Sequence, residues 1–397
     1  MKIVYFNYMW DLWGASIGST VKALKLLEAL RQAGGHEVKD FWLRDDLSKK
    51  RFWTEKKELT FRDHLKKHLG YYLHEPNQLW SNRGIHQECE IIEREKPDLV
   101  ISRLDVYLTS PEKLSKKYNV PFLIEVDSPR SYEVMTFQKY YHTTKWLIQS
   151  MEMQFLRGGK AGFTVSNQMR DHFVKRGMPL EYFSVLPNAA DTSRFNPQVS
   201  GKNVREQLKL NDSIIIGFVG SFIPWHGVEN LMNVIEKVLP AHPEVKFLLV
   251  GKGGSMSNVI NNFIRNNRLE DRVILPGHIP HEEIPQYIAA MDILLAPYPE
   301  IDFFYYSPVK IYEYMACGKP VISSRIGQIA ELIEDQKTGF LTRPGDIPNI
   351  CSIISDLIKQ PALRTQVGMA AGAEIQQHHT WIKRGEALSA LCQKVIS

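Results

Sequence analysis

Short runs of β-branched and aromatic residues alternate with helix-length amphipathic segments along the whole chain, a pattern that restricts the fold to parallel sheets covered by helices. In the first half these runs are Lys2–Tyr8, Glu37–Trp42, Leu99–Ser102, Phe122–Val126, Ala161–Val165 and Phe183–Leu186. In the second half they are Ile214–Val219, Lys246–Val250, Val273–Leu275, Ile293–Ala296, Pro320–Ser323 and Thr338–Leu341. The expectation is an α/β chain of two doubly wound, Rossmann-like domains in series, which also suits 397 residues at about 100 to 200 residues per domain. Leu186–Leu208 carries prolines, glycine and polar residues without a hydrophobic period, so a linker is expected near Asn188–Gly201. The first domain is read as 1–190 and the second as 191–376. Ligands of doubly wound sheets bind beyond the carboxyl ends of the strands, so two such domains are expected to face each other across a cleft.

Apolar residues at 44% and charged residues at 23% exclude a disordered, collagenous or coiled-coil chain. Met1–Tyr8 runs directly into the strand-like KIVYFNY, without the basic start and cleavage site of a signal peptide. No apolar run approaches the roughly 18 residues of a membrane span. A cytoplasmic protein is expected. Cys89, Cys317, Cys351 and Cys392 lie far apart without metal-ligand spacing, and read as buried thiols. The basic excess is confined to one half: residues 1–200 hold 30 Lys+Arg against 24 Asp+Glu, whereas residues 201–397 hold 19 against 20. That imbalance suits an anionic acceptor or a membrane surface, or else a mildly basic solvated face. No feature calls for a nucleic acid partner.

The segment Ala296–Asp346 is the most informative. Ser307-Pro308 reads as N-cap and first helical residue, and Gly318 as the C-cap glycine that ends the helix. The unpaired amides and positive dipole end of that helix suit a diphosphate, with Lys310 adding a full charge. Glu313, three residues on, can accept hydrogen bonds from the vicinal hydroxyls of a ribose; otherwise the two are a surface ion pair. Gly220 and Ser221 follow a strand, and His226 stands just before Gly227 and an expected helix Val228–Val238, where an imidazole can donate to phosphate. Gly14-Ala-Ser-Ile-Gly18 precedes an expected helix Val21–Gln32 but lacks a GxGxxG fingerprint. Gly251-Lys-Gly-Gly254 lacks a P-loop ending and is read as lining the nucleotide base. Arg103, Asp105, Glu125 and Asp127 end two buried strands; Glu125, Asp127 and Arg103 are candidates for orienting donor sugar or acceptor hydroxyl, or for charge pairing that seals a sheet edge.

SPVKIYEYMACGKPVISS, with the following GQIAEL and TGFLTRPGD, resembles the nucleotide-sugar-binding region of the retaining glycosyltransferases of family four, which have the GT-B fold. VSNQMRDHF, VLPNAADTSRFNP, VGSFIPWHGVENL, FLLVGKGG and VILPGHIPHEEIPQYIAAMDILLAPY match in the same order, over roughly residues 161–346. The resemblance implies sugar transfer from a nucleoside diphosphate sugar to an acceptor hydroxyl with retained configuration. It also implies an acceptor-binding first domain, a donor-binding second domain, and a last helix at 377–397 that returns to the first. Glu313 falls on the family's ribose-holding glutamate. Eight residues earlier, where the sugar-contacting glutamate is expected, stands Tyr305, with Asp302 nearby as a stand-in. Pro308 replaces a glycine, and Ser221, Trp225 and His226 occupy the region where other members place a basic pair.

The resulting donor set is Gly14, Gly220, Ser221, His226, Gly251, Ser307, Val309, Lys310 and Glu313, and the catalytic set is Lys310, Glu125, Asp127 and Arg103. With no DxD motif, neutralisation of the leaving diphosphate is expected without a metal, and the nucleotide sugar is the donor substrate rather than a cofactor. The acceptor is read as a glycan, a small molecule or a lipid-linked acceptor. Lys49–Tyr72, with apolar residues among lysines and arginines, suits peripheral membrane contact at the cytoplasmic face. Two other readings are a different GT-B enzyme, such as an epimerase or phosphorylase, and an inactive nucleotide-sugar-binding protein.

Overall fold

Strands buried on both faces organise each half of the chain, because a parallel strand between two helix layers has no wet side. The structure is a computed structural model, and it describes residues 1–8, 17–43, 83–106, 108–137, 145–210, 212–251 and 253–397. The chain divides into two compact units: Met1–Pro187 with Ile382–Ser397, and Asn188–Trp381.

The first unit holds β1 Lys2–Asn7, β2 Glu37–Trp42, β3 Leu99–Arg103, β4 Phe122–Val126, β5 Ala161–Thr164 and β6 Phe183–Val185. They form one sheet in the order β2-β1-β3-β4-β5-β6, every pair parallel. Each residue of β3 and β4 is buried, the mark of central strands. The helix Ile17–Gly34 links β1 to β2, and the closing helix Trp381–Ile396 packs against it so tightly that a Cβ on Gly385 would meet the Ala29 carbonyl at 2.4 Å. His36 Nε2 reaches Ser389 Oγ at 2.7 Å, a second tie between that last helix and its unit.

The second unit holds β7 Ile214–Val219, β8 Val245–Val250, β9 Val273–Gly277, β10 Ile293–Ala296, β11 Val321–Ser324 and β12 Phe340–Thr342. Their order is β12-β11-β10-β7-β8-β9, again parallel throughout. Strand alternation divides the core: Ile215, Leu248 and Leu294 join one apolar layer, while Ile216, Leu249 and Leu295 join the other. All twelve expected runs are strands, with ends displaced by at most two residues. The helices Val228–Ala241 and Ile17–Gly34 run further than the sequence suggested.

Two expectations are corrected. Asn188–Gly201 is not a linker but the opening segment of the second unit: Ala189, Ala190 and Phe195 are each at most 1% exposed, and Ala190 bridges Thr380. The segment lacks a period because its few apolar residues are inserted singly into a core built by other elements. The cysteines are not all buried: Cys317 and Cys392 are, whereas Cys89 and Cys351 are half-buried. Because Phe195 fills the core beside Val204, Leu210 and Ile288, Phe195→Ala should lower unfolding stability by about 3 to 5 kcal/mol in urea denaturation, where a linker residue would change it by less than about 0.5.

Candidate active site

In the second sheet β7 lies between β8 and β10, so chain connections leave β7 and β10 in opposite directions and open a crevice beyond their carboxyl ends. Three segments meet there: Gly220 directly after β7, Pro297-Tyr298 directly after β10, and the start of the helix Val309–Ala316.

Lys310 is the centre of this meeting. Its stem is half-buried and its Nζ has neither solvent contact nor a hydrogen-bond partner. The ammonium position lies 4.5 Å from the Phe218 ring centroid and 5.7 Å from that of Tyr298. A Cβ on Gly220 would stand 2.6 Å from Nζ, and with φ +147 the position suits glycine on backbone grounds as well. Desolvation lowers the Lys310 pKa to about 7, with the Glu313 charge pulling the other way. Ring faces soften the loss of water around the amine but give it no hydrogen-bond acceptor.

The helix start beside Lys310 is likewise without a side-chain partner. No side chain caps it, and its first turn holds no acidic residue. Pro308, not Ser307, is the N-cap, with φ −71 and ψ 109. Ser307 stands one residue before the cap, where its hydroxyl accepts from the Asn188 amide at 3.0 Å, while Asn188 Nδ2 donates to the Ser307 carbonyl at 2.5 Å. Val309 is thus the first helical residue. Asn188 was missed in the sequence because it fell inside the supposed linker.

His226 also departs from expectation. Its Nδ1 lies 2.9 Å from the Ser221 carbonyl and must donate to it. Burial, and then the Lys310 charge, draw its pKa to about 3. The neutral ring therefore presents Nε2 as an acceptor, and it has no second N–H to offer a phosphate. Gly220 and Gly251 likewise donate their amides within the sheet, to Val250 at 2.9 Å and Gly277 at 3.1 Å. What they supply is space: a Cβ on Gly251 would meet the Gly220 carbonyl at 2.1 Å. Ser221 is exposed at the mouth of this turn.

Glu313 is 7% exposed, and His281 Nε2 lies 2.8 Å from its Oε1. The surface ion pair with Lys310 is thus not formed; the acid is held inside, by a histidine the sequence reading passed over. Tyr305 is 2% exposed, among Phe303 and Tyr306, so this position turns inward. Asp302 is exposed, and among the described residues no contact joins it to Lys310 or Glu313.

In the first unit, Arg103, Glu125 and Asp127 are brought together at the carboxyl ends of β3 and β4, but by one another and by Lys22. Lys22 Nζ donates to Glu125 Oε1 and to Asp127 Oδ1, both at 2.6 Å, Tyr5 donates to Glu125 Oε2 at 2.5 Å, and Arg103 pairs with Asp127. Glu125 is 1% exposed with both oxygens engaged, an arrangement that favours the charge-pairing alternative for this residue. Asp127, at 18% side-chain exposure, is the member of the set that reaches solvent. Gly14 and Lys49–Tyr72 lie outside the described residues. Among the described residues no group of three or more His, Cys, Asp or Glu side chains is placed to hold a metal ion. Among them, too, no helix is long and apolar enough to cross a membrane.

Residues 213–360, which include Gly220, Lys310 and Glu313, match the family model described as glycosyl transferases group 1. The second unit carries a group 1 glycosyl transferase domain. Around this glycosyl transferase domain the similarity widens. The GDP-mannose-dependent alpha-(1-6)-phosphatidylinositol monomannoside mannosyltransferase of Mycolicibacterium smegmatis is 26% identical over 232 residues, 57% of this chain and 60% of that protein's length. The alpha-D-kanosaminyltransferase of Streptomyces kanamyceticus is 21% identical over 290 residues, 72% of this chain and 73% of that enzyme. Among solved structures, Anabaena HepE in complex with UDP has a TM-score of 0.71 at 19% identity, covering 99% of this chain and 100% of that one. Sucrose-phosphate synthase from Thermosynechococcus elongatus has a TM-score of 0.75 at 19% identity, covering 99% and 98%. The glycosyl transferase domain and the unit preceding it together have the GT-B fold.

A prediction follows from the orphaned amine. The unfolded chain holds the Lys310 proton up to about pH 10.4, whereas the folded chain releases it near pH 7. Between those values the unfolded state binds more protons, so stability from this group rises with pH and is least below pH 7. Lys310→Met should therefore stabilise the ligand-free protein by about 1 kcal/mol or more at pH 6, with the advantage shrinking from pH 7 to 10 in denaturation curves.

Proposed function

We propose that this chain is a retaining, metal-independent glycosyltransferase that moves a sugar from a nucleoside diphosphate sugar to an acceptor hydroxyl. The observation that carries this reading is the desolvated Lys310 amine, without a hydrogen-bond partner, beside an uncapped helix start inside the glycosyl transferase domain. A diphosphate fits both features: its charge draws a proton onto Lys310, and its oxygens accept from the first amides of the Val309 helix. As the bond to the sugar breaks, negative charge grows on the phosphate oxygen and these groups stabilise it more strongly than in the ground state. Glu313 Oε2 takes the ribose hydroxyls, and the turn at Gly251 lines the base. In this reading the acceptor hydroxyl's proton passes to the departing phosphate oxygen, which needs no side-chain base.

The solved HepE complexes hold UDP and UDP-glucose, and the mycobacterial relative is named for GDP-mannose, which supports the donor class without choosing the base. One relative is named for a phosphatidylinositol mannoside and another for kanosaminyl transfer, so the acceptor, proposed to bind the first unit through residues that include Asp127, is a lipid-linked glycan or a small polar molecule. A cytoplasmic location with peripheral membrane contact fits the lipid-linked case. The inward-turned Tyr305, where the resemblance expects a glutamate, favours as a second reading a protein that binds nucleotide sugars without turning them over.

A thermal-shift scan of UDP-, GDP- and ADP-sugars, followed by a product assay with the stabilising donor, tests the proposal. Transfer is expected to persist in excess EDTA, and activity that disappears with chelator and returns with manganese or magnesium would overturn metal independence. Lys310→Ala should lower the transfer rate constant about 10²- to 10³-fold, the effect of removing one group that stabilises transition-state charge. Donor binding with no release of nucleoside diphosphate under any condition would leave the binding-protein reading.

A further inference from the structure

Glu313 is held by a residue from a different segment. His281 stands in the turn between β9 and the helix Ile284–Ala290, and its Nε2 is 2.8 Å from Glu313 Oε1. The Glu313 side chain is 9% exposed and that of His281 26%. A carboxylate this buried needs a donor on each oxygen that water cannot reach. Because a carboxylate oxygen only accepts, His281 must carry its hydrogen on Nε2.

His281 is itself fixed from a third segment. Arg194 Nη2 donates to the His281 carbonyl at 2.9 Å, and the imidazole lies against Phe195 with ring centroids 5.5 Å apart. Arg194 also lies over the Phe195 ring, 5.8 Å from its centroid, and Phe195 is 1% exposed in the core. The imidazole is thus set by packing and by a backbone bond before any ligand arrives.

We propose that His281 is a positioning residue that holds Glu313 in the orientation suited to a vicinal diol, and so sets a preference for ribo- over 2′-deoxyribonucleotides. The proposal rests on the assignment of Glu313 to the ribose. A carboxylate free to turn re-aims at a single remaining hydroxyl. One pinned through Oε1 cannot, and it loses a bond to a charged acceptor when the 2′-hydroxyl is absent, a difference of about tenfold to a hundredfold in affinity.

Calorimetric titration of UDP, GDP and their 2′-deoxy counterparts into the full chain tests this, with His281→Phe, His281→Gln and Glu313→Gln compared with the parent protein. His281→Phe keeps a ring against Phe195 but removes the donor, and His281→Gln restores an N–H. The parent is expected to prefer the ribonucleotide by about tenfold or more, His281→Phe to lose most of that preference, and His281→Gln to recover it. A preference unchanged in His281→Phe but abolished in Glu313→Gln overturns the positioning role, as does equal loss in His281→Phe and His281→Gln. A preference that survives Glu313→Gln overturns the ribose assignment beneath it. Should His281→Phe fail to fold, His281→Asn, whose amide is too short to reach Oε1, takes its place with the same outcomes.

Discussion

Parallel pairing of β7 with β10 is the constraint on which the rest of the second unit depends. Ile216 pairs with Ile293 and Gly217 with Leu294, and this register sets the strand ends level. Gly217 leaves room on the sheet face for the Met291 side chain, whose sulfur a Cβ there would meet at 2.0 Å. Because the crossovers from these two strands depart to opposite sides, the loops Gly220–His226 and Pro297–Ser307 leave the sheet side by side at its carboxyl edge. Gly227, with φ +78 and the Pro297 carbonyl 1.9 Å from where a Cβ would lie, lets those loops touch. The Val309 helix then has one place to start, and Lys310 one place to point.

The price of that arrangement is an amine in a dry, aromatic surround. Phe218 and Tyr298 are both nearly fully buried, so the site has few ways to relax toward water. His226 is held neutral beside it and so adds no charge of its own next to the amine. The first unit shows the opposite solution at comparable strand ends. There Lys22, Arg103, Glu125 and Asp127 pair two positive charges with two negative ones. Both are clusters of titratable groups at strand ends, and what separates them is whether the charges already have partners.

The strands were legible because burial on both faces leaves near-continuous apolar runs, and each such run was found as a strand. Lys310, Glu313 and Gly220 were legible because they lie on one ordered stretch around a helix start. What sequence could not convey was tertiary pairing across long separations. Asn188 meets Ser307 from 119 residues away, and His281 meets Glu313 from 32. Lys22 was hidden on the buried side of a helix, and without it Glu125 and Asp127 looked like unattached acids. His226 looked like a donor because its Nδ1 partner, the Ser221 carbonyl, is a backbone atom that no side-chain pattern announces.

The opening segment of the second unit has a consequence for how such chains recombine. Asn188 clamps the residue before the helix N-cap, and Arg194 and Phe195 brace the histidine behind the buried acid. A stretch that looks like a dispensable connector therefore belongs with the residues it braces, Ser307 and His281. A chimera joined after Pro187 and again before Ile382 would inherit those braces, whereas one joined near Gly201 would keep every strand of the second sheet and lose the bonds that hold Ser307 and His281. The second unit is thus a module whose edge lies at Asn188, upstream of its first strand.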